Sequence, residues 1–171
     1  VEETVSTVED WLGYDMNYYI KANFSMLVDI VNAIDGVDVY SDFEFKSSVA
    51  DYYYVQGENH LDGMAALYFA RERKSFEDED IERGRNQQKV LKAMISKATQ
   101  SKVILTKYTQ LLNAVEDEMQ TNMSEKDISS LVKMQINDMG KWTINTISIT
   151  GTDAYAPTYS MGSQELAVVI P

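Results

Sequence analysis

Cysteine is absent from these 171 residues, and histidine occurs once, at His60. The first absence excludes a disulfide scaffold, a thiolate metal site and a cysteine nucleophile. The second excludes a multi-histidine metal centre and leaves little room for a Ser-His-Asp triad. Cationic side chains are scarce as well. Against 27 Asp and Glu stand 15 Lys and Arg, a formal net charge of −12. Nonspecific binding to nucleic acid or to an anionic membrane needs positive surface, so both are disfavoured. No apolar run reaches the roughly 18 residues that a membrane-spanning helix needs. Only 2 prolines and 8 glycines punctuate the chain, and no low-complexity tract, long linker or internal repeat is visible.

What is present suits one domain with a real core, since 44% of the residues are hydrophobic. Val1, Val5, Val8 and Leu12 open the chain in helical spacing, with Glu2, Glu3, Glu9 and Asp10 between them. A start at Val1, already inside a helical pattern, reads as a trimmed piece with further chain upstream. Residues 18–22 read as a strand. Leu27, Ile30, Val31 and Ile34 then form an amphipathic stripe that Gly36 ends as a C-cap. A short strand follows at 37–40, a loop or hairpin over 41–60, and a short helix from Asp62-Gly63 through Phe69. The charged stretch 71–85 interrupts this periodicity, which returns from Gln87 with Val90, Leu91, Met94 and Ile95, and again over 104–115. Ser124 and Asp127 are spaced as a capping box for a further helix. Trp142 to Ile149 reads as a strand, 151–162 as a loop and 166–170 as a closing strand. Interleaved strands and helices predict an α/β layered fold.

Arginine is the most informative residue here. All four, Arg71, Arg73, Arg83 and Arg85, fall in one 15-residue window, while the lysines scatter from Lys21 to Lys141. The guanidinium fork recognises phosphate and carboxylate bidentately and keeps its charge. The same window holds Glu72, Glu77, Asp78, Glu79, Asp80 and Glu82, so a solvated salt-bridge loop is the plain alternative. Spacing favours a local use. Arg71 and Arg73 share a face if extended, and Arg83 and Gln87 share one at a helix start. A helix N-terminus also favours an anion, so the two pairs are expected to converge on something phosphate-sized.

These residues also carry a resemblance. Arg71-Glu72-Arg73, an acidic loop, and Asp80-Ile81-Glu82-Arg83-Gly84-Arg85-Asn86-Gln87-Gln88 resemble the core motif of the LytR-CpsA-Psr family. That motif runs R-x-R, a loop, D-x-x-R and a closing Q-Q. Ile34-Asp35-Gly36-Val37-Asp38-Val39 resembles the family's "GGVDV" strand, and Leu61-Asp62-Gly63-Met64-Ala65-Ala66-Leu67 its "LNGEQAL" segment. Ala156 to Gly162 is similar to the family's ending. One departure is Asn86, where the family often has arginine, with Arg85 preceding it.

The resemblance implies a three-layer α-β-α sandwich with a mixed central sheet and a tunnel for a polyprenyl tail. Residues 1–171 then form the C-terminal part of a single catalytic domain whose N-terminal part lies upstream. It implies an extracytoplasmic phosphotransferase, anchored in the cell membrane through a segment absent here. Such enzymes move a phosphate-linked polymer, capsular polysaccharide or teichoic acid, from an undecaprenyl-pyrophosphate carrier to peptidoglycan; the likeness leans to the streptococcal capsule branch. Mg²⁺ is implied as cofactor, with ligands upstream and none in this chain. In this reading Arg71, Arg73 and Arg83 hold the pyrophosphate, with Arg85 and Gln87 beside them. Asp80 either orients an arginine or helps deprotonate the attacking hydroxyl. Val90, Leu91 and Met94 begin the lipid tunnel, and the upstream segment of the same polypeptide completes the site. The alternatives are a noncatalytic binder of polyprenyl pyrophosphate or wall glycan, and a transcriptional attenuator. The net charge of −12 and the lack of a basic stripe weigh against the latter.

Overall fold

The computed structural model describes residues 1–115, 119–138, 140, 142–146, 151–157 and 162–170. Helix α1 (Glu2–Leu12) forms where the valine stripe predicts it, but none of its residues is buried. Strand β1 (Ile20–Ala22) leads to Asn23, whose side chain accepts from the Met26 N–H at 2.8 Å and caps helix α2 (Phe24–Ala33). The helix ends as expected in a left-handed turn, at Asp35 and Gly36, and the Gly36 N–H returns to the Val31 carbonyl at 2.8 Å. Only glycine fits position 36. Its φ is 78°, and a Cβ there would sit 2.7 Å from His60 Nε2.

Strand β2 (Val37–Ser41) alternates buried and exposed residues. The stretch 41–60 resolves into β3 (Phe45–Lys46), β4 (Tyr53–Tyr54) and the start of β5 (Gly57–Leu61). Asp62 caps α3 (Gly63–Arg71) by accepting from the Ala65 N–H at 2.8 Å. Gly63 brings α3 against α2: a Cβ there would collide with the Val28 carbonyl, and its N–H donates to Asn32 Oδ1 at 2.9 Å. Helices α4 (Glu79–Ala98), α5 (Ser101–Val115) and α6 (Glu125–Asp138) follow, with β6 (Met119–Thr121) before α6, and β7 (Thr152–Pro157) and β8 (Glu165–Ile170) close the chain. The capping box at α6 forms: Asp127 N–H donates to Ser124 Oγ at 3.2 Å, and Ser124 Oγ donates to Asp127 Oδ2 at 2.6 Å.

The fold is α/β. Among the described residues the strands pair as four antiparallel two-stranded ladders, β1–β6, β2–β5, β3–β4 and β7–β8. Helix α4 packs on both α3 and β2, and α2 packs on α3 and α5. The core lies among these elements, formed by Val31, Ile34, Val37, Val39, Phe45, Tyr54, Leu61, Ala66, Phe69 and Val90 with their neighbours. Phe45 centres an aromatic group, 4.7 Å from Tyr54, 5.5 Å from Phe69 and 4.9 Å from Phe76 between ring centres. The buried Tyr54 hydroxyl donates to the Ala65 carbonyl at 2.8 Å, and burial pushes its phenol well above the ordinary value.

Three expectations need correction. Helix α4 starts at Glu79 rather than near Gln87. Its first turn is acidic, which suits the positive end of the helix dipole, and its inward face begins with Glu82 and Asn86, so apolar periodicity only appears at Val90. Residues 142–146 form no strand, although they are β-rich in composition; Trp142 is bonded to Gln135 of α6 instead, and 147–149 lie outside the described residues. Residues 152–157, expected as loop, form β7 because β8 supplies a partner along its whole length; 158–161 lie outside the described residues.

Candidate functional site

The arginine window spans the end of α3, a loop and the first two turns of α4. Arg71 is the last residue of α3. Its guanidinium carbon lies 5.2 Å from the centre of the Phe24 ring, at the start of α2. Such a cation–π contact at an exposed site is worth about 0.5–1 kcal/mol and fixes the side chain over the ring. Glu72 is extended, which turns Arg73 away from Arg71 and across the loop. Arg73 meets Asp80 with two nitrogens, Nε to Oδ1 and Nη2 to Oδ2, each at 3.1 Å, and approaches Glu79 at 3.6 Å. Arg83, one turn further along α4, places Nη2 2.8 Å from Asp80 Oδ1. Both carboxylate oxygens of Asp80 are therefore engaged by arginine.

Asp80, Arg83, Gln87, Leu91 and Met94 are spaced by three or four residues and run down one face of α4. The upper end of this stripe is the charged cluster. The lower end enters a cavity of about 590 Å³, walled by Gln87, Leu91 and Met94 of α4, Leu67, Ala70 and Arg71 of α3, and Phe24, Leu27 and Ile30 of α2. Arg71 and Gln87 are polar groups on an otherwise mainly apolar wall. A second apolar cavity, of about 380 Å³, shares Ile30 and Met94 with the first and continues between α4, α5 and α6. Their walls suit apolar groups, and Arg71 and Gln87 offer hydrogen-bond donors at the first cavity.

The expected residues divide accordingly. Arg71, Gln87, Leu91 and Met94 come together on the first cavity. Arg73, Asp80 and Arg83 come together in the charged cluster. Arg71 and Arg73 do not share a face, because residue 71 is still helical while residue 72 is extended. The expected helix N-terminus lies at Glu79, two turns before Gln87. Arg85 is exposed and bonds Glu82 three residues before it, and the four arginines do not converge on one point. Val90 is fully buried in the core cluster and faces away from the stripe.

Two features went unread in the sequence. Helix α2 is apolar round most of its circumference, which lets Val31 face the core while Phe24, Leu27 and Ile30 wall the cavity. That breadth is a signal visible in the sequence. Glu72, between the two motif arginines, is completely buried. Its carboxylate accepts the Ser48 N–H at 2.6 Å and the Ser75 N–H at 3.1 Å, while Ser75 Oγ donates to the Lys46 carbonyl at 3.0 Å. Burial alone would raise its pKa; the bonds from Ser48 and Ser75 outweigh that and hold it below the ordinary glutamate value. Glu72 thus ties the loop that carries Arg73 to the turn after β3. Among the described residues, no three His, Asp or Glu side chains group so as to hold a metal ion.

A family model, the LytR_cpsA_psr family, matches residues 1–169. The chain belongs to the LytR_cpsA_psr family. The polyisoprenyl-teichoic acid–peptidoglycan teichoic acid transferase TagU of Bacillus cereus is 37% identical over 134 residues, which are 78% of this chain and 43% of that protein. The crystal structure of B. subtilis TagV superposes with a TM-score of 0.73 at 29% identity, over 98% of this chain and 63% of that one. A structure titled TagT bound to LI-WTA gives a TM-score of 0.67 at 27% identity, over 97% of this chain and 61% of that one. The chain therefore spans less than half of the TagU relative and about three-fifths of the two solved LytR_cpsA_psr structures. Its departure at Asn86 has a structural counterpart: Asn86 is buried on the inward face of α4, between Glu82 and Val90, away from the cavity stripe.

Proposed function

We propose that this chain is part of an extracytoplasmic, membrane-anchored phosphotransferase that moves a wall glycopolymer from a polyisoprenyl pyrophosphate to peptidoglycan. The names of its relatives point to teichoic acid as the polymer; the streptococcal likeness of the sequence points to capsule, and we favour teichoic acid. The observation that carries the reading is the cavity between α2, α3 and α4, mainly apolar along its walls and cationic at Arg71. An isoprenoid fills it without unpaired polar groups, and its pyrophosphate lies where Arg71 and Gln87 offer donors.

In this reading an acceptor hydroxyl oxygen attacks the phosphorus that bears the sugar. The bond from that phosphorus to the bridging oxygen breaks, the isoprenoid monophosphate leaves with the electron pair, and the hydroxyl proton passes through solvent water to the departing phosphate. Arg71 and Gln87 bind the lipid-side phosphate and stabilise the charge it gains, while Arg73 and Arg83 face the polymer-side phosphate. Such transfer is mostly positioning and charge neutralisation. Asp80 acts here as the positioning partner of Arg73 and Arg83, since both its oxygens are already bonded to them. The Mg²⁺ implied by the resemblance would need ligands from outside the described residues, and none of these steps runs through it.

The test is a transfer assay with undecaprenyl-pyrophosphate-linked polymer and peptidoglycan, using the full-length protein. Labelled polymer joined to peptidoglycan by wild type, and lost with Arg71→Ala at unchanged melting temperature, supports the reading. Binding of the lipid without transfer favours a noncatalytic binder.

A further inference from the structure

One exposed aromatic side chain lines the second cavity, on the part of the apolar passage that Arg71 does not reach. Trp142 lies beyond α6 and is about half exposed, at 55%. One side of it lines the second cavity, with Leu131 and Leu112 among the other walls. It also borders an open depression of about 350 Å³ with Asp138 and Thr143. The indole thus stands between an apolar interior and a polar exterior.

Gln135 holds it there. Trp142 Nε1 donates to Gln135 Oε1 at 2.6 Å. The Gln135 amide nitrogen donates to the carbonyls of Thr99, at the end of α4, at 3.1 Å, and of Gly140 at 2.9 Å. Gln135 therefore spends its oxygen and its nitrogen on a latch joining α4, α6 and the segment of Trp142. A fully bonded amide at an apolar wall is a specific arrangement, since leaving its groups unpaired there would cost about 1–3 kcal/mol.

We infer that Trp142, latched by Gln135, is the end wall of the passage and determines how long an isoprenoid chain it accepts without rearrangement. This rests on the isoprenoid reading above. Along α4 the path from Gln87 to Ala98 measures about 16 Å at 1.5 Å per residue. A short prenyl chain anchored at Arg71 stops before the indole. A longer one presses against it and must either fold back or displace it and break its bond to Gln135. Chain length thus becomes coupled to the position of Trp142.

These 171 residues hold two tryptophans, Trp11 and Trp142; in the full-length protein, changing Trp11 and any tryptophan outside them to Phe leaves Trp142 as the sole indole reporter. Farnesyl, geranylgeranyl and undecaprenyl diphosphate are titrated into this protein, with binding measured separately by equilibrium dialysis. The expected result is binding by all three, with the Trp142 emission unchanged by farnesyl diphosphate and shifted by undecaprenyl diphosphate. In Trp142→Ala, checked for an unchanged melt, preference for the longest chain over the shortest rises by about tenfold. That is the low end of what one methylene decides in an apolar pocket, about 10–200-fold. Gln135→Ala, which keeps the indole but frees it, shifts preference the same way by a smaller factor. Binding of all three with neither an emission change nor altered preference overturns the end-wall role and leaves the isoprenoid reading standing. No binding of any prenyl diphosphate overturns both.

Discussion

Arg73 grips Asp80 side-on, with Nε and Nη2 each 3.1 Å from a different carboxylate oxygen. The pair joins the loop after α3 to the first turn of α4, and Arg83 adds a third bond to the same carboxylate. Exposed ion pairs contribute about 0.2–1 kcal/mol each, so this cluster does little for stability. Its consequence is orientation of two guanidinium groups. Asp80→Asn should therefore melt within about 1 kcal/mol of wild type and lose transfer activity, read by thermal melting and polymer transfer on the same sample. An inactive variant whose melt has collapsed would show that Asp80 holds the fold instead.

Arg71 tests bidentate recognition. It is exposed and ends a helix, so Arg71→Ala should keep its fold and lose no more than the contact with Phe24 is worth, about 0.5–1 kcal/mol. The loss in transfer rate should correspond to roughly 2.7–4 kcal/mol, as for removal of an oxyanion donor. Arg71→Lys should recover only part of it, because an ammonium is a point charge and stacks less well on Phe24. Full recovery by lysine would mean that charge alone suffices.

Neighbouring positions on α4 should behave oppositely. Val90 is fully buried in the core, whereas Leu91 is half exposed and walls the cavity. Val90→Ala should lose about 2 kcal/mol of stability, the burial value of a valine side chain being about 1.5–3 kcal/mol, with lipid affinity unchanged in the folded fraction. Leu91→Ala should lose less stability and bind prenyl diphosphates more weakly. Chemical denaturation and equilibrium binding on the two variants separate these outcomes.

How much of this was legible in the sequence depends on which face of each element is polar. The turn at Gly36 and the Ser124–Asp127 box were readable because each rests on residues close in sequence. The start of α4 was not, because Glu82 and Asn86 occupy its inward face and mask the helical period until Val90. The arginine window marks the segment from the end of α3 to the first turns of α4. Its geometry was hidden by the change from helical Arg71 to extended Glu72, which sends the two motif arginines to different partners. The β7 strand needs β8 to exist as a strand at all, and the bond that sets Trp142 against Gln135 leaves no trace in the β-rich composition of 142–146.

Glu72 gives a pH dependence. Its folded pKa lies below the ordinary value, so the unfolded chain takes up its proton first as pH falls. The stabilisation is fully present above the unfolded value, about 4.3, and is lost as pH drops through the lower folded value. Glu72→Gln should be less stable than wild type near neutral pH by about 1–3 kcal/mol, the cost of leaving buried bonds unmade. That gap should close in acid. Urea melts of both proteins across the acid range check it, and a gap that widens in acid would reverse the sign argued here.

The cavity between α2, α3 and α4 as the seat of an isoprenoid pyrophosphate is tested most directly by binding. Undecaprenyl diphosphate and undecaprenyl monophosphate are titrated against wild type, Arg71→Ala and Gln87→Ala, each verified as folded. The expected result is tight binding of the diphosphate by wild type, at least about tenfold weaker binding by Arg71→Ala, about 1.4 kcal/mol, and a smaller loss for Gln87→Ala. The monophosphate should be less sensitive to both changes. Equal binding of the diphosphate by all three proteins would contradict the placement of the pyrophosphate at Arg71.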